Sequence, residues 1–313
     1  MNRSIFAALG DLYNLRFSSY KPLTAKTFRL RCRDGGDCYF VKRSNIYSQE
    51  KYRFLYEQGI GNVAYPLKNV KGHFVTNINK NFLFLSNFYP HFDIVGEIKA
   101  VNLADELSNL HHNTYFKRQL SVEFSRKNME QLFEYLDYKF AALEMFIRSI
   151  ETRPFDEYSI VILKNYQYLL DAKRIMSELH KGLIGAIKEK KSVNYAFIHN
   201  NPKTAHLLTS AGKHYLTSIE KSKMGIPSLD MAKFYIENEH LNFDIKNVIL
   251  PYLDKYEDPF YRHYFYFLVL LYYVKGLIII DKDYVTSQNF IFAAHAIKKF
   301  IRMFDLVEED KTE

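Results

Sequence analysis

The sequence predicts an α+β fold with two lobes, a small one at residues 1–90 and a larger one at residues 91–313. In the first stretch, side chains alternate between apolar and polar along residues 27–32, which is the period of a half-buried strand. Beyond Pro90, apolar residues recur at helical spacing instead. We therefore expect a small antiparallel sheet with one helix, followed by a mainly helical lobe. A chain of 313 residues can bury a substantial core in such a fold.

Turn and cap signals divide the small lobe. Asp34-Gly35-Gly36-Asp37 is a tight-turn signal between two strands, and Ser44 and Asn45 can cap the helix that follows. The predicted strands are residues 27–32, 38–42, 63–66, 71–76 and 81–88, and the predicted helix is residues 46–58.

The larger lobe is predicted from apolar residues that share a helix face. Pro251 is expected to kink or end the helix that contains it. The two long consecutive helices are not a coiled coil, because their heptads do not persist. The charged residues 308–313 are expected to fray. The predicted helices are residues 94–112, 125–151, 156–188, 227–238, 243–256, 259–280 and 284–304.

Composition and charge exclude several function classes. The net charge of +8 comes from Lys and Arg that are scattered among Asp and Glu, and no nucleic-acid recognition motif accompanies it. Residues 264–280 are the most hydrophobic segment, but they are short for a membrane span and include Lys275. No signal peptide is recognised at residues 1–14. We expect a cytoplasmic protein without a transmembrane segment and without specific nucleic-acid binding.

The two cysteines, Cys32 and Cys38, end one predicted strand and begin the next. They could face each other across a hairpin, but reduced thiols are expected in a cytoplasmic protein. No Cys–His spacing typical of a metal site is present, and no G-x-S-x-G element indicates a serine hydrolase.

Residues 194–230 contain the chain's most informative spacing. His199 is followed two residues later by Asn201 and five after that by His206. Ser218 and Glu220 come next, and Pro227 and Asp230 open a helix. This spacing resembles the catalytic half of the aminoglycoside/choline-kinase-like phosphotransferases, which have a protein-kinase-like fold. That family carries His-x-Asp-x-x-x-x-Asn, then Asp-x-Asp/Glu, then a Pro and an Asp at a helix start.

The resemblance implies that three catalytic positions are replaced. Asn201 stands where the family has its catalytic Asp, and an amide cannot act as a base near neutral pH. His206 stands at the position of a metal-ligating Asn, and Ser218 at that of the principal metal-ligating Asp. Mg²⁺ prefers oxygen ligands, whereas an imidazole suits transition metals better. Glu220 is the one plausible metal-binding carboxylate left.

Other positions match the family without these losses. Lys42 takes the place of the lysine that pairs with phosphates, and Glu50 that of the glutamate that orients it, so both would bind nucleotide if nucleotide binds. His199 and Asp230 are expected to be structural, with His199 packed beneath the loop and Asp230 bracing it. The loop expected to cover the nucleotide, residues 18–26, has no glycine, which is unfavourable for close approach to phosphates.

The resulting hypothesis is a pseudokinase that serves as a binding or scaffold protein with an unidentified protein partner and no cofactor. Phe40-Val41-Lys42-Arg43, the helix end at Leu110-His111-His112 and residues 226–235 resemble the bacterial spore-coat kinase-like proteins, which implies a spore-associated assembly. The alternatives are a divergent active phosphotransferase that uses Mg-ATP and a small-ligand binding protein. A chance match of the spacing also stays open.

Overall fold

The computed structural model describes residues 3–33, 38–89, 94–119, 122–190, 192–279, 281 and 283–307. It divides into two compact units. The first comprises Met1–Tyr115, Ala196–Gly225 and His240–Asn242, and the second comprises Phe116–Tyr195, Ile226–Glu239 and Phe243–Glu313. The boundary near residue 90 was drawn from a change of pattern, and it stays a prediction.

The described residues contain strands up to Gly225 and only helices after it. The strands are β1 (Phe17–Thr24), β2 (Thr27–Cys32), β3 (Cys38–Arg43), β4 (Thr76–Ile78), β5 (Asn81–Asn87), β6 (Phe116–Gln119), β7 (Ser192–Ile198), β8 (Leu207–Ser210), β9 (Lys213–Leu216) and β10 (Lys223–Gly225). The helices are α1 (Arg3–Tyr13), α2 (Ser48–Glu57), α3 (Gly96–Thr114), α4 (Val122–Glu151), α5 (Glu157–Glu189), α6 (Ser228–Asn238), α7 (Ile245–Asp254), α8 (Pro259–Gly276) and α9 (Tyr284–Met303). Short 3₁₀ turns occupy Thr204–His206 and Ile219–Lys221.

The first unit contains an antiparallel sheet in the order β1-β2-β3-β5-β4. Leu30 and Val41 on one face of this sheet are buried in a cluster that includes Leu9 of α1. On the opposite face, Phe84 of β5 contacts Tyr52 of α2, with ring centroids 5.8 Å apart. Since successive strand residues point to opposite faces, Lys42 lies on the α2 side. This alternation places Lys42 in the candidate site.

Helix α1 was not predicted. The sequence predicts one helix in the small lobe, α2, and none at residues 1–14. The structure places Ile5, Phe6 and Leu12 of this segment against the buried face of the sheet. The apolar residues at helical spacing, which are too few for a signal peptide, therefore cover the sheet.

Two predicted strands differ in the structure. Residues 63–66 form only an isolated bridge from Val63 to Leu216, because Pro66 has no N–H to extend a ladder. Within residues 71–76, only Thr76 belongs to a strand, the start of β4. The Asn69 side-chain oxygen accepts hydrogen bonds from the backbone N–H groups of Lys71 and His73, which turns the chain there. The strands at residues 27–32 and 38–42 and the helix at 46–58 are confirmed within one or two residues.

The cysteines lie on opposite faces of the sheet. Cys38 is directly opposite Arg31 in the β2–β3 ladder, and Cys32 is the next residue after Arg31. Neighbouring strand residues point to opposite faces, so the two thiols do not face each other. Neither forms a disulfide.

Cys38 is expected to be alkylated faster than Cys32 at neutral pH. Arg29 Nη2 lies 3.3 Å from Cys38 Sγ and donates to it, and this hydrogen bond lowers the pKa of the Cys38 thiol. A lower pKa gives a larger thiolate fraction at neutral pH, and the thiolate is the reactive form. Mass spectrometry after limited iodoacetamide treatment measures both rates, and Arg29→Leu should slow the reaction at Cys38. Equal rates in the wild type and in Arg29→Leu would contradict this expectation.

The first unit also contains α3 and the chain between β7 and β10. Residues 196–198 at the end of β7 pair antiparallel with β10. Between them, β8 and β9 form a hairpin whose turn contains Ala211 and Gly212, both with positive φ. This segment carries most of the predicted site residues.

The second unit is mainly helical, as predicted. Helix α5 packs against α4, α8 and α9, and β6 pairs with residues 192–195 of β7. Helix α8, predicted as a core helix, buries Phe265, Phe267 and Leu270. Pro251 lies inside α7 without ending it. No helix in the described ranges combines the length and apolar character needed to cross a bilayer.

Candidate functional site

The first unit brings together Lys42 and the two short segments that carry the predicted catalytic positions. His199 follows directly on β7, and Asn201 and His206 precede β8. Ser218 and Glu220 come just after β9, where the chain forms a short 3₁₀ turn. The hairpin between these segments returns the chain, so positions separated by more than ten residues lie side by side.

Lys42 is bound by residues of the second segment. Its Nζ lies 2.8 Å from Glu220 Oε1 and donates to Ser218 Oγ at 2.9 Å. The Lys42 and Glu220 side chains are only 19% and 15% exposed. Lys42 thus forms an ion pair with Glu220, the remaining carboxylate of the site, and the Ser218 hydroxyl is a second acceptor for its ammonium.

Glu50 does not reach Lys42 in the structure. Its side chain is 61% exposed and forms an ion pair with Arg53 on the same helix. The buried face of α2 is formed by Ser48, Tyr52 and Leu55. Position 50 lies away from this face because each helical residue advances by about 100°. The predicted Lys42–Glu50 pair is therefore replaced by the pair with Glu220.

Lys51 is the residue of α2 that faces the site, and sequence reasoning missed it. It lies three residues after Ser48 and four before Leu55, so it adjoins the buried face. Its Nζ donates to the backbone oxygen of Glu220 at 2.6 Å. Burial lowers the pKa of Lys51, and the Glu220 carboxylate partly offsets this effect. The spacing of the apolar face of α2 was the sequence signal that could have identified it.

Asn201 and His206 form a second contact pair. His206 Nδ1 lies 2.8 Å from the backbone oxygen of Asn201. A carbonyl oxygen only accepts, so Nδ1 carries the proton and Nε2 the lone pair. Burial lowers the pKa of His206, and the hydrogen bond to the Asn201 carbonyl only partly offsets this effect. The imidazole is therefore neutral near neutral pH. Asn201 does not offer the carboxylate of the matching family position, and His206 offers a nitrogen where the family has an amide oxygen.

His199 lies beneath these groups and is fully buried. Its Nε2 donates to the backbone oxygen of Thr217 at 2.6 Å, and its ring centroid is 5.7 Å from that of His206. His199 thus connects the first segment to the residue that precedes Ser218.

Asp230 belongs to the second unit. It is fully buried in the first turn of α6. After burial itself, which is the largest cause, the Asp230 carboxylate contributes to the raised pKa values of Tyr252 and Tyr256. Its predicted bracing of the 199–206 loop stays a prediction.

The backbone at Ser218 has an uncommon conformation. Its φ of 62° and ψ of 41° place it in the left-handed region. Residues other than glycine are uncommon there, and Asn and Asp are several-fold enriched among them. The backbone at this position therefore suits an Asp better than the Ser it carries.

The donor set at the site does not fit Mg²⁺, which prefers an octahedron of oxygens with carboxylates. Glu220 is committed to Lys42, and the Ser218 hydroxyl accepts from the same ammonium. His206 would present a nitrogen. Among the described residues, no cluster of three or more His, Cys, Asp or Glu could hold a metal ion.

Residues 18–26, the predicted covering loop, lie mainly in β1 and its turn into β2. They are largely exposed, and Thr24 is joined to Thr27 by a side-chain hydrogen bond of 2.8 Å. Their contact with a ligand stays a prediction.

Comparisons with known proteins identify the fold. No protein-family model matches the chain, and no curated protein matches its sequence. Among solved structures, an aminoglycoside phosphotransferase from Alicyclobacillus acidocaldarius subsp. acidocaldarius DSM 446 is similar with a TM-score of 0.65 and 12% identity, over 98% of this chain and 95% of that one. Amicoumacin kinase hAmiN, in complex with AMP-PNP, Ca²⁺ and Ami, has a TM-score of 0.50 and 12% identity, over 99% and 96%. Aminoglycoside phosphotransferase APH(4)-Ia has a TM-score of 0.50 and 12% identity, over 96% and 98%.

These similarities confirm the predicted fold class. The chain has the protein-kinase-like α+β fold, with an antiparallel sheet in its N-terminal region and a mostly helical C-terminal part.

Proposed function

We propose that this chain, which has the fold of the aminoglycoside phosphotransferases, is a pseudokinase that binds a partner or ligand without transferring phosphate. The observation that carries the proposal is the pairing of Lys42 with Glu220 and Ser218, next to an Asn201–His206 pair without a carboxylate. The groups that would hold metal and nucleotide instead bind each other.

Phosphoryl transfer needs a group that orients or accepts the hydroxyl proton and metal ions against the phosphate oxygens. Asn201 offers an amide in place of a base, and loss of general-base assistance lowers rates by about 10²–10⁴-fold. Ser218 and His206 are neutral where metal ligands are needed. These three replacements act on one step, so a change at one position does not compensate for the others.

The finer parts of the proposal rest on the sequence. We place the protein near the bacterial spore-coat kinase-like proteins, with a protein partner in a coat-type assembly and a cytoplasmic or spore-associated location. The resemblance of residues 40–43, 110–112 and 226–235 supports this placement.

A divergent active phosphotransferase is the second candidate, because Glu220 keeps an anionic side chain beside Lys42. In that case Glu220 would be indispensable. The two candidates therefore differ in whether the protein releases ADP from ATP in a way that requires Glu220.

The test is release of ADP from ATP in Mg²⁺ and in Mn²⁺, with and without aminoglycoside acceptors. We expect the wild type to release no more ADP than Glu220→Gln does. Glu50→Gln, which changes an exposed carboxylate of the same unit, is the matched control. Turnover in the wild type and in Glu50→Gln that disappears in Glu220→Gln would overturn the proposed function.

A further inference from the structure

The side chains around Glu220 carry more positive charge than the single negative charge of its carboxylate. Lys42 binds its carboxylate at 2.8 Å, and Lys51 binds its backbone oxygen at 2.6 Å. Burial lowers the pKa of His206 and outweighs the opposite effect of the hydrogen bond from its Nδ1 to the Asn201 carbonyl, so the imidazole is neutral near neutral pH. Two ammonium groups therefore converge on one residue that supplies a single negative charge.

Each of the two lysine ammonium groups has N–H donors available for a ligand. A lysine Nζ has three N–H donors. In the part of the chain that the structure describes, Lys51 Nζ uses one of them on a neutral carbonyl oxygen. Lys42 Nζ donates one to Ser218 Oγ and forms an ion pair with Glu220 Oε1. An incoming anion would find unused donors on both side chains.

The position of Lys51 is set by the fold. It extends from the edge of the buried face of α2, next to Tyr52, which is almost completely buried. Its burial lowers its pKa, which means that the ammonium has lost part of its hydration. A multivalent anion would replace that hydration with charge-assisted hydrogen bonds.

We propose that Lys51 and Lys42 together bind a ligand with two or more linked phosphates and that this binding needs no divalent metal. The inference deepens the proposed function and rests on it. Lys51 supplies positive charge at a site where Ser218 and His206 stand at the positions of the family's metal-ligating Asp and Asn. The ligand competes with Glu220 for Lys42, whose ammonium also donates to Ser218 Oγ.

The predicted effect of Mg²⁺ on ligand affinity is opposite to that expected for a phosphotransferase. Mg²⁺ in solution neutralises the phosphate oxygens that the two lysines would bind. The protein provides no carboxylate pair to hold the ion in exchange. Affinity should therefore be lower in Mg²⁺ than in EDTA.

The test is isothermal titration calorimetry with ATP and with inorganic pyrophosphate, each in EDTA and in excess Mg²⁺. We expect binding in EDTA that weakens when Mg²⁺ is added, and this comparison needs no variant. Binding of both probes would assign recognition to the phosphates alone, and binding of ATP only would show that the nucleoside contributes. Either result supports the inference.

The matched variants are Lys51→Met and Lys71→Met. Lys71 is an exposed lysine of the same unit, and its backbone N–H donates to the Asn69 side chain. Lys51→Met should weaken ATP binding in EDTA about tenfold or more, the effect of losing a hydrogen bond to a charged group. Lys51→Arg, which keeps the charge, should retain most of the affinity, and Lys71→Met all of it.

Two results would overturn the inference. Absence of binding in EDTA would end it and leave the proposed lack of phosphoryl transfer standing. Equal affinity of Lys51→Met and the wild type would remove Lys51 from the site. The ADP-release assay separately decides the proposed function, so the two failures can be told apart.

Discussion

Glu220→Ala is expected to lower the free energy of unfolding by about 3 kcal/mol, the cost of leaving a mostly buried charge without its partner. The substitution removes the carboxylate 2.8 Å from Lys42, whose side chain is only 19% exposed. Lys51 keeps its hydrogen bond, because that bond is made to the backbone oxygen at position 220. Urea unfolding at neutral pH measures the difference.

Glu50→Ala is the control for this prediction. The Glu50 side chain is 61% exposed and pairs with Arg53 on the surface of α2. Exposed pairs contribute about 0–1 kcal/mol, so this variant should be close to the wild type in stability. A larger loss in Glu50→Ala than in Glu220→Ala would mean that Lys42 pairs with Glu50 and would contradict the geometry of the site.

Local patterns in the sequence were sufficient for most of the fold. Alternation along residues 27–32 predicted β2, and the same alternation placed Lys42 on a strand. The strand expected at residues 71–76 failed because the Asn69 side chain binds two backbone N–H groups, which no periodicity reveals. Helix α1 was not predicted, although Ile5, Phe6 and Leu12 pack against the sheet.

The candidate site was only partly predictable. Motif spacing identified the positions of Asn201, His206 and Ser218, which the structure brings close to Lys42 or to one another. The family resemblance predicted Glu50 as the residue of α2 that reaches the site. The residue that does so is Lys51, because it adjoins the buried face of α2. The left-handed backbone at Ser218 was also beyond prediction, since nothing in its neighbouring residues requires it.

A triple variant, Asn201→Asp, His206→Asn and Ser218→Asp, is expected to bind ATP about tenfold or more tightly in Mg²⁺ than the wild type does. The new carboxylate at position 218 would lie beside Glu220, which provides the oxygen ligands that Mg²⁺ prefers. The amide at position 206 replaces a neutral imidazole with a further oxygen.

The structure indicates that these substitutions can be accommodated. Asp is among the residues that tolerate the left-handed conformation observed at position 218. The new carboxylate is placed next to Lys42, whose ammonium already binds the Ser218 hydroxyl at 2.9 Å. Loss of the His206 ring removes one hydrogen bond to the Asn201 backbone, so a modest loss of stability is expected.

The matched control carries Ser218→Asn instead of Ser218→Asp, together with the same changes at positions 201 and 206. Asn has nearly the shape of Asp and also tolerates the left-handed backbone, but it adds no charge. Any gain that depends on the metal-binding carboxylate should therefore be absent from this control. Circular dichroism and thermal unfolding establish that both variants are folded before binding is compared.

The most direct test of the proposed loss of chemistry is calorimetric titration of ATP in Mg²⁺ and in EDTA into the wild type, the triple variant and the control with Ser218→Asn. We expect the metal response to change sign: the wild type and the control bind ATP more weakly in Mg²⁺ than in EDTA, and the triple variant binds it more tightly. A folded triple variant whose ATP affinity is not increased by Mg²⁺ would contradict the claim that Asn201, His206 and Ser218 account for the missing metal site.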